Sequence, residues 1–358
     1  MKAQNRMITS VAIMPNRSDG HDPMSTSMRS PFARERLTRT DIAPSRPVPS
    51  LVDDVRAGLL SAPRQLPPKY FYDDHGSALF ESICTTPEYY PSRAEAGLLE
   101  RHAEQIIASA APAHVLELGS GSSRKTRHLF DACDRLGQFC VYWPFDVSAQ
   151  MMLDAGARLE TDYPWLSVHA LVGDYTGGLD GLTLPDEGRR LIVFLGGTLG
   201  NFEPADAHAM LAEIAGLMRD GDTLLLGLDR VKDISRLEAA YDDAQGITGD
   251  FNRNVLTVLN REIGADFPVA DYRHRAVYDE ARARIEMRLV SSRAHTVTLG
   301  ALGTAIDIAD GEQIVTEFSH KFTPASMDAL LASAGLFIDK HFEAEDKDYS
   351  LLLARRQS

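Results

Sequence analysis

The stretch Val115–Thr126, VLELGSGSSRKT, begins as an apolar run, passes an acid at Glu117 and enters a loop of glycine and serine. An apolar run bounded by glycine reads as a buried strand, and the loop as its exit toward a helix. A dinucleotide fingerprint needs a third glycine in G-x-G-x-x-G, but after Gly119 and Gly121 that slot holds Arg124. A Walker loop needs Gly-Lys-Ser/Thr, and here Lys125 follows Arg124. Both phosphate readings weaken. What remains is a loop at the carboxyl end of a first strand, where open α/β sheets bind ligands.

Outward from that loop the chain alternates. EAGLLERHAEQIIASA before it has helical spacing; FCVYWPFDVS, LSVHALVGDY, RRLIVFLGGTLGNF and DTLLLGLD after it read as four further strands, with HAMLAEIAGLM as a helix between the last two. Continuous apolar strands alternating with helices imply a parallel sheet covered on both faces. SMDALLASAG, LFIDKHFEAE and YSLLLARR then read as a helix and two strands joined by a short polar turn, hence an antiparallel pair. A doubly wound α/β sheet closed by such a hairpin resembles the class I methyltransferases, with a Rossmann-like parallel sheet.

S-adenosylmethionine (SAM) suits the loop, because it carries a ribose and an amino-acid end but no pyrophosphate. Gly119, Ser120 and Gly121 allow close backbone approach. Asp146 ends the second strand, somewhat beyond the roughly 20-residue offset at which an acid accepts ribose hydroxyls. Asp174 in VGDYT is placed to accept from the adenine amino group with Tyr175 beside it, and Lys125 to meet the methionyl carboxylate.

Composition excludes other classes. Of 358 residues 37 are Lys or Arg and 51 Asp or Glu, a net charge of -14 that disfavours a phosphate backbone as partner. Three cysteines without metal-ligand spacing read as reduced thiols of a cytoplasmic protein; no metal is expected. No apolar stretch approaches a membrane span, and the first residues lack the apolar core of a signal peptide. Residues 1–50, rich in Ser, Arg and Pro without periodicity, read as a disordered extension whose removal through about Ser45 leaves activity intact.

The remaining motifs are more specific. KYFYDDHGSALFESICTTPEYYPSRAE, VLELGSGSSRKT, LIVFLGGTLGNFEP, DRVKD, AYDDAQGITGDFNRNVLTVLNRE, RIEMRL and TEFSHKF together resemble the histidine Nα-methyltransferases, which form hercynine in ergothioneine biosynthesis. The resemblance runs from about Leu51 to the C-terminus. It implies three methyl transfers from SAM to the α-amino group of free L-histidine. The partner expected is that small molecule, acted on by a monomer, with no nucleic acid or membrane involved. Carried over position by position, it assigns Tyr89, Gly196, Asn201, Tyr241, Met287, Glu317 and Ser319 to histidine, and places Tyr72 near the reacting amine as the catalytic residue. The fourth-strand loop reads LGGT where many relatives have LGST, and His320 replaces a small residue; neither removes an expected ligand.

Glu317 and Ser319 also follow from the chain itself. In IVTEFSHKF the period-two alternation puts them on one strand face, with Thr316 and Phe318 on the other. A carboxylate and a hydroxyl on one face suit two ring nitrogens. The domain reading is a SAM-binding domain from 96–230 and 321–358, with a histidine-binding lobe from 51–95 and 231–320. A methyltransferase for tryptophan competes, but an indole offers one donor and no charge for Glu317. A methyltransferase for protein or nucleic acid is disfavoured by the acidic balance. A non-enzymatic SAM-binding regulator has no use for the histidine set.

Overall fold

The computed structural model describes residues 36–357. Its strands are β1 (Leu37–Asp41), β2 (Arg64–Gln65), β3 (His114–Leu118), β4 (Val141–Asp146), β5 (Ser167–Val172), β6 (Arg190–Phe194), β7 (Thr223–Asp229), β8 (Tyr272–Asp279), β9 (Arg284–Ser291), β10 (His295–Leu299), β11 (Thr304–Ile308), β12 (Gln313–His320), β13 (Leu336–Glu343) and β14 (Tyr349–Arg356). Its helices are α1 (Leu51–Leu59), α2 (Asp74–Ile83), α3 (Tyr90–Ala110), α4 (Arg127–Leu136), α5 (Ala149–Asp162), α6 (Pro204–Leu217), α7 (Ile234–Ala240), α8 (Ile247–Ile263) and α9 (Pro324–Ser333).

The large sheet has the order β1-β5-β4-β3-β6-β7-β14-β13; only β14 runs against its neighbours. The central strands are mostly apolar because both faces are covered. Val115, Leu191 and Leu225 pack with Leu98, Leu99, Ile106 and Phe130 of α3 and α4, while the next residues, Leu116, Ile192 and Leu226, meet Met210, Leu211 and Met327 of α6 and α9. Each fully buried side chain of this kind contributes about 1.5–3 kcal/mol. The parallel sheet and its closing hairpin are those expected from the hydrophobic pattern.

One expectation fails. Residues 1–35 of the anticipated disordered extension lie outside the described residues, but Leu37–Asp41 forms β1 and pairs in parallel with β5, Leu37 opposite Val168. Beyond it, Ser45 and Arg46 donate their backbone N–H groups to the Gly177 carbonyl at 2.9 and 3.1 Å, and Pro44 covers Gly177. LTRTD is too short and too polar to announce a strand. Its register comes from β5, not from its own pattern.

A second sheet, β2-β12-β9-β8, packs Ile285, Met287 and Leu289 against Phe251, Val255 and Leu259 of α8. β12 and β9 are antiparallel, with Met287 opposite Glu317 and Ile285 opposite Ser319. A bulge between Val315 and Glu317 breaks the strict alternation. Thr316 therefore does not share the face of Phe318; it is buried, and its hydroxyl donates to Asn252 Oδ1 on α8 at 2.7 Å. The two sheets touch at Gly200, where a Cβ would lie 2.8 Å from the His320 carbonyl oxygen.

Candidate active site

The loop after β3 forms a cradle. Gly119 and Gly121 have φ of +69° and +49°, the left-handed region that glycine enters without strain. A Cβ on Gly119 would rest in ordinary van der Waals contact with Tyr175 Cε1 at 3.6 Å, so the Tyr175 ring stands directly beside the loop. Asp146, at the end of β4, fixes the loop by accepting from the Gly121 and Ser148 N–H groups at 3.0 and 2.9 Å. Ser120 Oγ is buried without a partner among the described residues, an orphaned polar atom in the cradle wall. Asp174 accepts from the Thr176 N–H and hydroxyl through one oxygen, Oδ1. Open glycine backbone, two carboxylates and an orphaned hydroxyl fit the polar ends of SAM. Below the loop, Glu117 is buried, accepts from Thr126 and Tyr142, and is pushed up to about 7 by its burial.

Lys125 does not simply project into this cradle. Its ammonium pairs with Glu95 of α3, a side chain with no exposed surface. Glu95 also accepts from the Gly196 N–H at 2.8 and 3.0 Å and from the Tyr349 hydroxyl at 2.9 Å. Gly196 thus meets α3 through its backbone, with φ of +78°, and the LGGT variant places Gly197 at +66°, again glycine's territory. Asn201 closes the short 3-10 turn Thr198–Asn201, with its amide unbonded among the described residues.

Across the cleft stands an aromatic wall. Tyr89 meets Tyr241 edge-on with ring centroids 6.0 Å apart, Phe80 meets Tyr89 at 6.1 Å, and Tyr72 meets Phe80 at 5.6 Å. Tyr72 is 46% exposed as a residue, but the protein groups around its hydroxyl desolvate it and hold it protonated, well above the ordinary tyrosine range. Glu317 and Tyr175 are among the groups that raise Tyr72 further, so its hydroxyl stands within electrostatic reach of both halves of the site. Glu317 itself is pushed up to about 7 by burial, against the downward pull of Lys321. Met287, 2% exposed, packs in the core of the second sheet opposite Glu317.

Behind this wall lies a buried ionic cluster. Lys321 Nζ donates to Asp229 Oδ2 at 2.8 Å, to the Tyr241 hydroxyl at 2.9 Å and to Ser319 Oγ at 2.7 Å. Tyr241 and Ser319 touch each other at 2.8 Å. Asp229 accepts in addition from Lys232 and from the Tyr90 hydroxyl; burial pushes its carboxyl up, but the Lys321 and Lys232 ammonium groups hold it below the usual carboxylate range.

Glu95, Asp229 and Lys321 escaped the sequence reading, although two of them left a signal. Glu95 is an acid on the apolar stripe of its helix, in step with Leu98 and Leu99. The alternation that joins Glu317 to Ser319, carried two residues further, reaches Lys321.

A doubly wound sheet with an antiparallel closing hairpin, and a glycine cradle at the carboxyl end of β3, define a class I SAM-dependent methyltransferase. Residues 51–356 match the family model for histidine-specific, SAM-dependent methyltransferases, and the chain belongs to that family. It is 46% identical to histidine N-alpha-methyltransferase of Mycolicibacterium smegmatis over 303 residues, 85% of this chain and 94% of the relative. The protein of the same name from Mycobacterium tuberculosis is 44% identical over equal shares. The L-tryptophan methyltransferase trpM of Psilocybe serbica is 30% identical over 341 residues, 86% of this chain and 93% of that one.

Proposed function

We infer that this chain transfers methyl groups from SAM to the α-amino group of free L-histidine, forming the trimethylated product hercynine, the first step of ergothioneine biosynthesis. Its family and its mycobacterial relatives support the activity. The observation that carries the substrate assignment is the pairing of Glu317 and Ser319 on one face of β12, backed by Met287 and walled by Tyr89 and Tyr241.

In this reading Glu317 accepts from one imidazole N–H and Ser319 meets the other nitrogen. Tyr241, Asn201 and the Gly196 loop hold the amino-acid end. SAM, when bound, supplies a methyl group on a cationic sulfur, so no covalent activation is required of the protein. The Gly119–Gly121 cradle, Asp146, Asp174, Tyr175 and Lys125 hold it. The protein's contribution is positional, holding a neutral amine in line, an advantage worth several kcal/mol. Tyr72, kept protonated, is no base in itself; its hydroxyl accepts from the amine and passes the proton to water on the exposed side of the ring. The faces of Tyr72, Tyr89 and Phe80 accommodate the growing methylammonium and retain it between transfers. Residues 51–95 and 231–320 serve as the histidine lobe, and 96–230 with 321–358 as the SAM domain. The enzyme works as a cytoplasmic monomer on a small molecule; among the described residues no helix is long and apolar enough to cross a membrane.

Incubation with SAM and each free amino acid, followed by mass analysis, tests this. Histidine gaining up to three methyl groups is expected. Preferential methylation of tryptophan removes the substrate assignment.

A further inference from the structure

Lys321 is fully enclosed, and an ammonium has three donors and no acceptor. All three are spent, on Asp229, Tyr241 and Ser319. Both hydroxyl oxygens therefore already accept from Lys321. Of their two hydrogens, one closes the Tyr241–Ser319 contact and the other is left over. The pair is thus a donor site, and a ligand with two acceptor atoms draws both hydrogens. Free histidine brings two such atoms, a carboxylate oxygen and the unprotonated imidazole nitrogen.

We propose that Lys321, locked on Asp229, is a positioning residue that holds the Tyr241 and Ser319 hydroxyls as hydrogen-bond donors toward the acceptor atoms of histidine. Its effect on specificity follows. With Glu317 accepting and Ser319 donating, the site matches an imidazole with one N–H and one bare nitrogen, and an indole cannot satisfy both. Lys321 also acts on Glu317 through space, drawing its carboxyl pKa down, while Tyr72, Tyr89 and Tyr241 face the same carboxylate from the other elements around it.

The proposal rests on the assignment of Tyr241 and Ser319 to histidine, and the experiment separates the two. Lys321→Met leaves Asp229 paired with Lys232 and Tyr90, so the fold is expected to persist, as thermal unfolding and calorimetric SAM binding will report. The histidine KM should rise about tenfold to a hundredfold, as for a lost charge-assisted contact. The kcat should fall much less, and the acid limb of kcat/KM should move to higher pH as Glu317 loses its cation. Lys321→Gln, which restores a donor without the charge, should recover part of the KM but not the pH shift. If Lys321→Met does not fold, the double variant Asp229→Asn, Lys321→Met removes the pair together and carries the same expectation. An unchanged KM in a folded Lys321 variant, with Tyr241→Phe and Ser319→Ala both raising it, overturns the role of Lys321 and leaves the site reading standing. Unchanged KM in Tyr241→Phe and Ser319→Ala overturns both.

Discussion

The Gly196 N–H of the loop after β6 donates to both carboxylate oxygens of Glu95 on α3, at 2.8 and 3.0 Å. This single carboxylate joins the start of α3 to the loop that carries Asn201, and through Lys125 to the glycine cradle. Glu95→Ala strands the Tyr349 hydroxyl and the Gly196 N–H in a closed interior, and is expected to lower stability by about 2–4 kcal/mol. Denaturant unfolding measures it. A loss below 1 kcal/mol would mean that the carboxylate merely fills space.

Asp146 holds the cradle in shape with two accepted N–H bonds and faces the ribose in the proposed complex. Asp146→Ala should weaken SAM binding by about 1–3 kcal/mol. Calorimetry that finds the affinity unaltered removes Asp146 from the cofactor site.

For Glu317 the prediction is differential. Its replacement by Ala removes a charge-assisted bond worth about 1.5–3 kcal/mol to histidine, whereas tryptophan should lose little. The ratio of kcat/KM values for the two substrates reports the change. An equal fall for both would assign Glu317 to the fold.

The same residue makes a statement about pH. Its folded-state pKa is raised to about 7 from the ordinary value of 4.5. A raised carboxyl favours the folded state fully below pH 4.5, and that contribution is lost as pH rises through about 7. Glu317→Gln, which cannot ionise, should therefore stabilise the ligand-free protein by about 1–3 kcal/mol at pH 8 and by little at pH 4. Unfolding curves of both proteins at the two pH values decide it, and a variant no more stable at pH 8 contradicts the burial of an ionised carboxylate.

The segment from Leu37 to Val48 braces β5 and the Asp174–Gly178 turn. A chain beginning at Pro49 should bind SAM several-fold more weakly than one beginning at Arg36, since the turn bearing Asp174 loses its backing. Equal cofactor affinities for the two chains would show that the brace is dispensable.

Most of the sheet could be read in advance, because a strand buried on both faces is mostly apolar along its length, and β3, β6 and β7 are. The face shared by Glu317 and Ser319 was legible for the same reason: period two is a property of the backbone. What stayed hidden depends on partners far along the chain. β1 takes its register from β5, more than 100 residues away. Thr316 turns inward because of a bulge that no local signal marks. Glu95 looked like one more charge on a long helix until Gly196, Lys125 and Tyr349 closed around it.

The placement of β14 between β7 and β13 bears on how the molecule is made. β7 is synthesised more than a hundred residues before β14, the strand that covers its edge. Until then the nascent chain carries an open ladder of N–H and C=O groups on a leucine-rich strand, the kind of edge on which chains aggregate. Such long-range pairing is slow to form. Completion of the sheet, and with it the seat of Asp229 at the end of β7 opposite Tyr349, waits on β14, so the buried cluster of Asp229, Lys232 and Lys321 closes only after that late strand has been made.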